Sequence, residues 1–448
     1  MKKQTTTRES AINMPLVNPN AAGIDVGDTI HAVAVPEGRD TLQVRSFGTM
    51  TCDLEAIAAW LLECGVDTVA MESTGVYWRP LFNLLTQHGL EVYLVNAKQV
   101  KNVSGRKNDE DDARWIQKLH SCGLLRSSYL PDDQQEALRT LVRHRRTLTQ
   151  DRGRCVLRMQ KALELMNVKV HTLLRDITGK SGLAIIEAIL RGERTAENFL
   201  ACVHFKVKAD RAIILKSLQG NWRPEQLYLL EDCYMSYKYL TERIASCDVA
   251  IEHQLEFYNR EIRPEAAPEY EAVSAKKANR NKPSFNTCSY LKKVLGVDVM
   301  AIYGISDIAA LEILSETGTD MSKWETAKHF ASWLNLCPNN KVSGGKLISS
   351  TLMKKKPNPA SQAFRNAANA VQRSDNWLGD YFRRMKAKGG NKYATVATAN
   401  KIATIYYKMV SCQQEFSPVE LTAYQNKYKQ AKILYLERRL FELKKEAA

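Results

Sequence analysis

Ten cysteines are scattered from Cys52 to Cys412 without a single Cys-x-x-Cys pair. This excludes a zinc ribbon and a disulfide framework and leaves reduced, mostly buried thiols. No apolar run approaches the length of a bilayer span, and Met1 to Ser10 lack the apolar core of a signal peptide, so the expectation is a cytosolic protein that does not enter a membrane. A Gly-x-x-x-x-Gly-Lys-Ser/Thr loop is also missing, which argues against chemistry driven by ATP. The run Gly23-Ile24-Asp25-Val26-Gly27 would suit a sugar-kinase or actin-like ATPase, but no second phosphate loop accompanies it. Acidic residues are in deficit, 49 against 64 Lys plus Arg, for a formal net charge of +15 and a pI near 9.2. Such an excess calls for a polyanionic partner, most simply nucleic acid held through its phosphates.

With 448 residues, 44% of them hydrophobic, the chain has enough apolar content for two or three cored domains. The pattern expects an α/β domain over 1–130, a helical arm over 131–262 and a flexible linker over 263–286. A mainly α domain over 287–412 and a basic amphipathic C-terminal helix over 413–448 complete it. In the first domain, residues 21–28 continue into Thr29 to Val35 as a strand, a tight turn and a returning strand, which puts Asp25 near a strand end. Thr68 to Gly75 is a second short apolar run stopped by a polar turn, with Glu72 at its terminus and a helix expected from Tyr77. Asp109 and Asp112 fall three apart in a helix and share a face. Strand ends and a helix meeting at the edge of a mostly parallel sheet are where open α/β folds place ligands. Hard oxygen donors in that position select Mg²⁺ or Mn²⁺, and such ions serve phosphoryl displacement. Glu110 and Asp111 read as ordinary acids at a helix start.

The arm is expected as two long helices. Leu141, Leu148, Cys155 and Ala162 repeat every seven residues, interrupted by Arg145 and Arg152; Leu230, Tyr237, Ile244, Ile251 and Tyr258 do so again, with Cys233, Leu240 and Cys247 three positions after. An antiparallel coiled coil satisfies this spacing, as do two long helices packed on a neighbouring domain. Arg139, Arg143 and Arg146 on the first helix offer a face to nucleic acid. The Pro- and Lys-containing run from Arg263 to Pro283 has little to bury and reads as a mobile linker. Leu295 to Ile305 followed by a helix from Asp307 resembles a helix-hairpin-helix, whose glycines let backbone amides approach a phosphate. Ser343 is followed by Gly344 and Gly345 and flanked by Lys341 and Lys346, so its hydroxyl could meet a phosphate. A serine hydroxyl is a weak nucleophile without a base or metal, and an ordinary turn or anion-binding loop fits the same residues.

Taken together, Gly-Ile-Asp25-Val-Gly, Met-Glu72-Ser-Thr-Gly, Arg-Lys107-Asn-Asp109-Glu-Asp-Asp112-Ala-Arg-Trp-Ile, Gly-Val-Asp-Val-Met-Ala-Ile-Tyr-Gly-Ile and Cys-Pro-Asn-Asn-Lys341-Val-Ser343-Gly-Gly-Lys346 resemble the IS110-family transposases over roughly residues 20–410. Asn108 stands where the family has Thr, and the segment 200–285 is longer than usual. The resemblance implies a RuvC-like, ribonuclease H-fold first domain whose DEDD tetrad is Asp25, Glu72, Asp109 and Asp112, then a coiled-coil arm and a transposase domain with Ser343 as nucleophile. It implies a recombinase of an insertion sequence in a prokaryotic cytoplasm, at the nucleoid, that uses Mg²⁺ or Mn²⁺ and a transient phosphoserine bond to join double-stranded donor and target DNA. A non-coding bridge RNA would guide a homo-oligomer, dimer or tetramer, whose active sites are composed across protomers. Lys107, Lys341, Gly344, Gly345 and Lys346 would meet nucleic acid. Two other readings are a metal-dependent endonuclease like a Holliday-junction resolvase, with Ser343 a mere turn, and a non-catalytic nucleic-acid-binding protein.

Overall fold

Gly23 sets the geometry of the first unit. In this computed structural model, which describes residues 15–73, 75–96, 109–262, 281–353 and 358–446 (109, 261, 262, 445 and 446 by backbone alone), the chain divides into two compact units at Leu130. In the first, strands β1 (Ala21–Val26), β2 (His31–Ala34), β3 (Val44–Phe47), β4 (Thr68–Glu72) and β5 (Glu91–Val95) form one sheet in the order β3-β2-β1-β4-β5. β1 runs parallel to β4 and β4 to β5, whereas β2 and β3 are antiparallel. The sheet is therefore mixed rather than mostly parallel, because the chain turns straight back after β1 instead of crossing over through a helix.

Alternation along β1 sends Ile24 and Val26 to one face, where they meet Val33, Val69 and Met71. Helices α1 (Thr51–Glu63) and α2 (Trp78–Gln87) cover this face with Ile57, Leu61, Leu81 and Leu85. Gly23 and Asp25 point to the other face, which is covered by α3 (Asp109–Ser121). A side chain at residue 23 would stand 2.2 Å from the Gln117 amide nitrogen and 2.5 Å from the Ala113 carbonyl oxygen, so only glycine lets α3 lie this close to β1. Ala113 packs with Ala32 and Ala34, and Ile116 with Ala70 and Val95. Gln117 Nε2 donates to the Ala21 carbonyl at 3.1 Å.

The second unit starts with α4 (Asp133–Leu165), capped by the Asp132 carboxylate accepting from the Gln135 amide. It pairs antiparallel with a helix of 39 residues, called α8 here, Pro224–Ile262. Gln254 bonds to Gln134, Cys247 to the Leu141 carbonyl, and Arg145 to Asp248. Of the seven-residue repeats, Leu230, Cys233, Ile244, Cys247, Ile251 and Tyr258 are buried, as are Cys155 and Ala162. Arg145 does not interrupt the pairing; it is buried against Asp248 and also donates to the Asn281 carbonyl at 3.0 Å.

Between the two long helices stand α5 (Lys180–Leu190), α6 (Ala196–Ala201) and α7 (Arg211–Ser217). Their Ile185, Ile186, Ile189, Phe199 and Ile214 close a core with Met159, Met166 and Leu230. The remainder holds α9 (Thr287–Leu295), α10 (Asp307–Thr317), α11 (Ala327–Trp333), the hairpin β6 (Asn339–Ser343) and β7 (Lys346–Thr351), α12 (Pro359–Val371), α13 (Trp377–Cys412) and α14 (Leu421–Glu446). Phe330, Phe364, Trp324 and Tyr406 form its aromatic centre.

Residues 263–280 of the expected linker lie outside the described residues, but 281–286 are packed. Lys282 Nζ meets Asp307 at 3.0 Å, the Ser284 amide donates to Asp248, and Phe285 is buried against Tyr290. The flexible reading is corrected there, because these residues satisfy groups on α8 and α10 that lie far away in the chain. The segment expected to resemble a helix-hairpin-helix contains helices α9 and α10, and its Gly304 (φ +91°) lies against α12. A Cβ there would stand 2.4 Å from the Ala367 carbonyl oxygen, so its small size serves helix packing.

Candidate active site and nucleic-acid-binding surfaces

Asp25 and Glu72 occupy neighbouring positions on the two parallel central strands. In that ladder Ile24 pairs with Met71, and each acid is the next residue along its strand. Alternation places both on the face covered by α3, since Ile24 and Met71 belong to the opposite core. Both are half-buried. The helix runs antiparallel to β1: the Ser121 carbonyl accepts from Val17 and Asn18, His120 meets Thr68 at the start of β4, Gln117 reaches Ala21, and Ala113 packs over Gly23. Continuing one turn in that direction brings Asp112 and Asp109 to the end of the sheet where Asp25 and Glu72 stand. Asp112 is half-buried, and Asp109 opens the helix, its side chain lying outside the described ones.

The neighbouring acids are separated from this group. Arg114 holds Asp111 at 3.3 Å and Glu110 at 3.7 Å, and both acids are exposed. At the opposite end of α3, burial pushes the His120 imidazole down to about 4, partly offset by Asp67. Its Nε2 lies 2.8 Å from the Thr68 hydroxyl, and its ring 4.7 Å from that of Tyr93. That histidine is neutral and structural.

The donor set is made of carboxylate oxygens from two strand ends and one helix, the chemistry that suits a hard divalent cation and disfavours zinc. Among the described residues no three His, Cys, Asp or Glu side chains are gathered closely enough to hold a metal. The fold places Asp25, Glu72 and Asp112 on one face and at one end of the sheet.

Ser343 ends β6, and Gly344 (φ +53°) with Gly345 (φ +74°) makes the two-residue turn into β7. Positive φ at both central positions defines a type I′ hairpin turn and explains the two glycines. The Ser343 side chain is exposed with Lys341 and Lys346, and no side chain among the described residues bonds its hydroxyl. Exposed Val342, Leu347 and Ile348 also line this hairpin. Their apolar character on either side of a Gly-Gly turn is the signal in the sequence that marks a two-stranded ribbon. Lys107 and the run Lys354 to Lys356 lie outside the described residues.

Arg143 holds both Glu316 oxygens, at 2.7 and 2.8 Å, and Arg139 donates to the Ser315 and Glu316 carbonyls. Glu316 is buried, and its carboxylate keeps the Arg143 guanidinium more firmly protonated. These two arginines are thus engaged within the chain, tying α4 to α10. Arg146 is partly exposed. Burial raises the Glu312 carboxyl on α10, with Arg146 opposing that shift.

A five-stranded mixed sheet with carboxylates at strand ends and on a covering helix, followed by a mostly helical region, is compatible with the RuvC-like fold of nucleic-acid-processing enzymes. Residues 22–168 match a family model described as a transposase of the DEDD IS110 type, and residues 298–383 match one described as the transposase IS116/IS110/IS902 family. The two together span just over half the chain. The chain belongs to the IS110 family of transposases, enzymes that cleave and rejoin DNA. A search of curated proteins finds no match. Among the described residues no helix is long and apolar enough to cross a membrane.

Proposed function

We propose that the protein is the recombinase of an insertion sequence and joins donor and target DNA through a transient phosphoserine bond at Ser343, under the direction of a bridge RNA. The observation that carries this reading is the placement of Asp25, Glu72 and Asp112 on one face and at one end of the sheet, with Asp109 in the same helical turn as Asp112. Asp25, Glu72, Asp109 and Asp112 would hold Mg²⁺ or Mn²⁺, which when bound supplies Lewis-acid polarisation of a phosphodiester. Ser343 supplies a hydroxyl on an exposed, tight turn. Its oxygen forms the new bond to phosphorus, its proton is lost, and the displaced sugar oxygen takes a proton. Reversal of that exchange on a second strand rejoins DNA without ATP. Lys341 and Lys346 beside the turn offset phosphate charge, and the +15 net charge supports binding to DNA and RNA. Exposed Ile433, Leu436, Leu440 and Leu443 on α14 support a homo-oligomer, since they recur at three- and four-residue spacing and the described residues leave them uncovered.

A resolvase-like hydrolysis is the second reading, favoured by the fact that a type I′ turn alone accounts for Gly344 and Gly345. Trapping a cleavage complex on a nicked suicide substrate, with guide RNA and Mg²⁺, separates the two. DNA should remain attached to the peptide containing Ser343. Ser343→Ala should bind substrates and lose the adduct, whereas Ser349→Ala should retain it. Cleaved, hydrolysed ends produced by Ser343→Ala at the wild-type rate would replace the recombinase reading with the resolvase one.

A further inference from the structure

The most exposed large apolar side chain among the described residues is Phe205, at 82%. It lies between α6 and α7, in a part of the chain outside both family matches. Loose chain does not explain its exposure. Val203, Val207 and Ala209, on either side, pack against the core built by α5, α6 and α7. The His204 amide donates to the Ser181 hydroxyl at 2.9 Å, and the Val207 amide to the His204 carbonyl at 3.0 Å. His204 Nδ1 accepts from the Lys206 amide at 3.2 Å, which fixes the imidazole so that it stacks on the Phe205 ring, centroids 4.4 Å apart and planes 26° from parallel. One face of the phenyl ring is thus backed by an immobilised aromatic ring.

The segment is rich in cations. Lys206 Nζ stands 5.8 Å from the ring centroid, and Lys208, Arg211 and Lys216 follow in the chain and are exposed. Asp210, the acid of this stretch, is used to cap α7 by accepting from the Ala212 amide. A pre-positioned aromatic surface with a lysine beside it and further exposed cations along the same segment is what an unpaired nucleobase and its phosphates require: every base has a π-face, and stacking on an aromatic side chain supplies affinity without reading sequence. Holding the ring in place beforehand removes the ordering cost on binding.

We propose that His204 to Lys208 form a stacking site for an unpaired base of a single-stranded nucleic acid, with Phe205 as the platform and Lys206, Lys208 and Arg211 meeting the flanking phosphates. The site rests on the nucleic-acid-binding part of the function proposed above and not on its chemistry. The test is fluorescence anisotropy of the full-length protein with a labelled 20-nucleotide oligouridylate, and with a blunt DNA duplex, over a range of salt. Phe205→Ala should weaken oligouridylate binding by about 5- to 150-fold at every salt concentration, leaving the slope of log affinity against log salt unchanged. Phe205→Trp should restore it, and duplex binding should not change. Lys206→Ala with Lys208→Ala should lower the slope by about 1.4, near 0.7 for each phosphate no longer neutralised. Because Phe205 projects into solvent, none of these changes disturbs the core.

Wild-type affinity in Phe205→Ala, or an equal loss on duplex and single strand, would overturn the site. So would sedimentation with phosphatidylserine vesicles that Phe205→Ala abolishes while oligouridylate binding persists, since the loop would then be a membrane-inserting element. Made in a Ser343→Ala background, the measurement is independent of the chemistry. Failure of the Ser343 adduct leaves this site standing, and failure here leaves the adduct standing.

Discussion

Replacing Gly23 by alanine should damage both the stability of the first unit and its chemistry. The new methyl would stand 2.2 Å from the Gln117 nitrogen and 2.5 Å from the Ala113 oxygen. Both obstacles are backbone atoms of a hydrogen-bonded helix, so no rotamer change relieves them. Ordinary contact needs about 3.5 Å, and α3 must therefore retreat by about 1 Å. Forcing extra atoms into a packed interface costs about 1–3 kcal/mol. The functional loss should be larger than the stability loss suggests, because Asp112, a metal ligand in the function proposed above, lies one residue before Ala113 on the displaced helix. A misplacement of about 1 Å in catalytic geometry is worth on the order of 100-fold in rate. Recombination rate and the unfolding temperature of the full-length protein should be measured side by side. Gly153→Ala is the control: it lies on the exposed side of α4 with nothing within 4 Å of the added carbon, and should stabilise by about 0.5–1 kcal/mol. Wild-type stability and rate in Gly23→Ala would mean that α3 is not held against β1 in this way, and the placement of Asp109 and Asp112 beside Asp25 and Glu72 would fall with it.

Two further outcomes follow from buried charge. Asp248→Ala leaves the Arg145 guanidinium without its carboxylate in a buried site and should cost about 3–5 kcal/mol. Adding Arg145→Met should recover most of that in urea unfolding; a double variant no better than the single would show that the pair's energy lies elsewhere. His120 is neutral in the folded protein because burial lowers it from 6.5 to about 4. The unfolded chain therefore binds a proton first as pH falls, and stability present above pH 6.5 is lost between 6.5 and 4, by about 3 kcal/mol for this group. His120→Gln should flatten the pH dependence of unfolding over that window, and an unaltered profile would show that His120 does not titrate as described.

Elements governed by local rules were legible in the sequence. The strand–turn–strand around Asp25, the strand ending at Glu72, the helix bearing Asp109 and Asp112, and the two long helices α4 and α8 all appear. Other features depended on partners far away in the chain. The sequence showed arginines on α4 but not that Glu316, more than 170 residues on, holds Arg139 and Arg143. It suggested that Arg145 breaks a repeat, because its buried partner Asp248 is on the other helix. It marked 263–286 as a linker, although Lys282 and Ser284 pair with Asp307 and Asp248. The small helical core of α5, α6 and α7 was not legible, since short helices of six to eleven residues carry little periodicity.

By itself the sequence showed carboxylates of the type that suits a hard cation, a serine beside two glycines, the sign of the net charge, and the family whose motifs they form. Those properties reside in side-chain chemistry and in the periods of helix and strand, both of which are local. Only the tertiary structure decided that Asp25 and Glu72 are register neighbours on one face, that Gly23 admits α3 beside them, which arginines are engaged internally, and that Phe205 stands outside its core. These depend on strand pairing and side-chain partners separated by tens to hundreds of residues, and no local pattern specifies them.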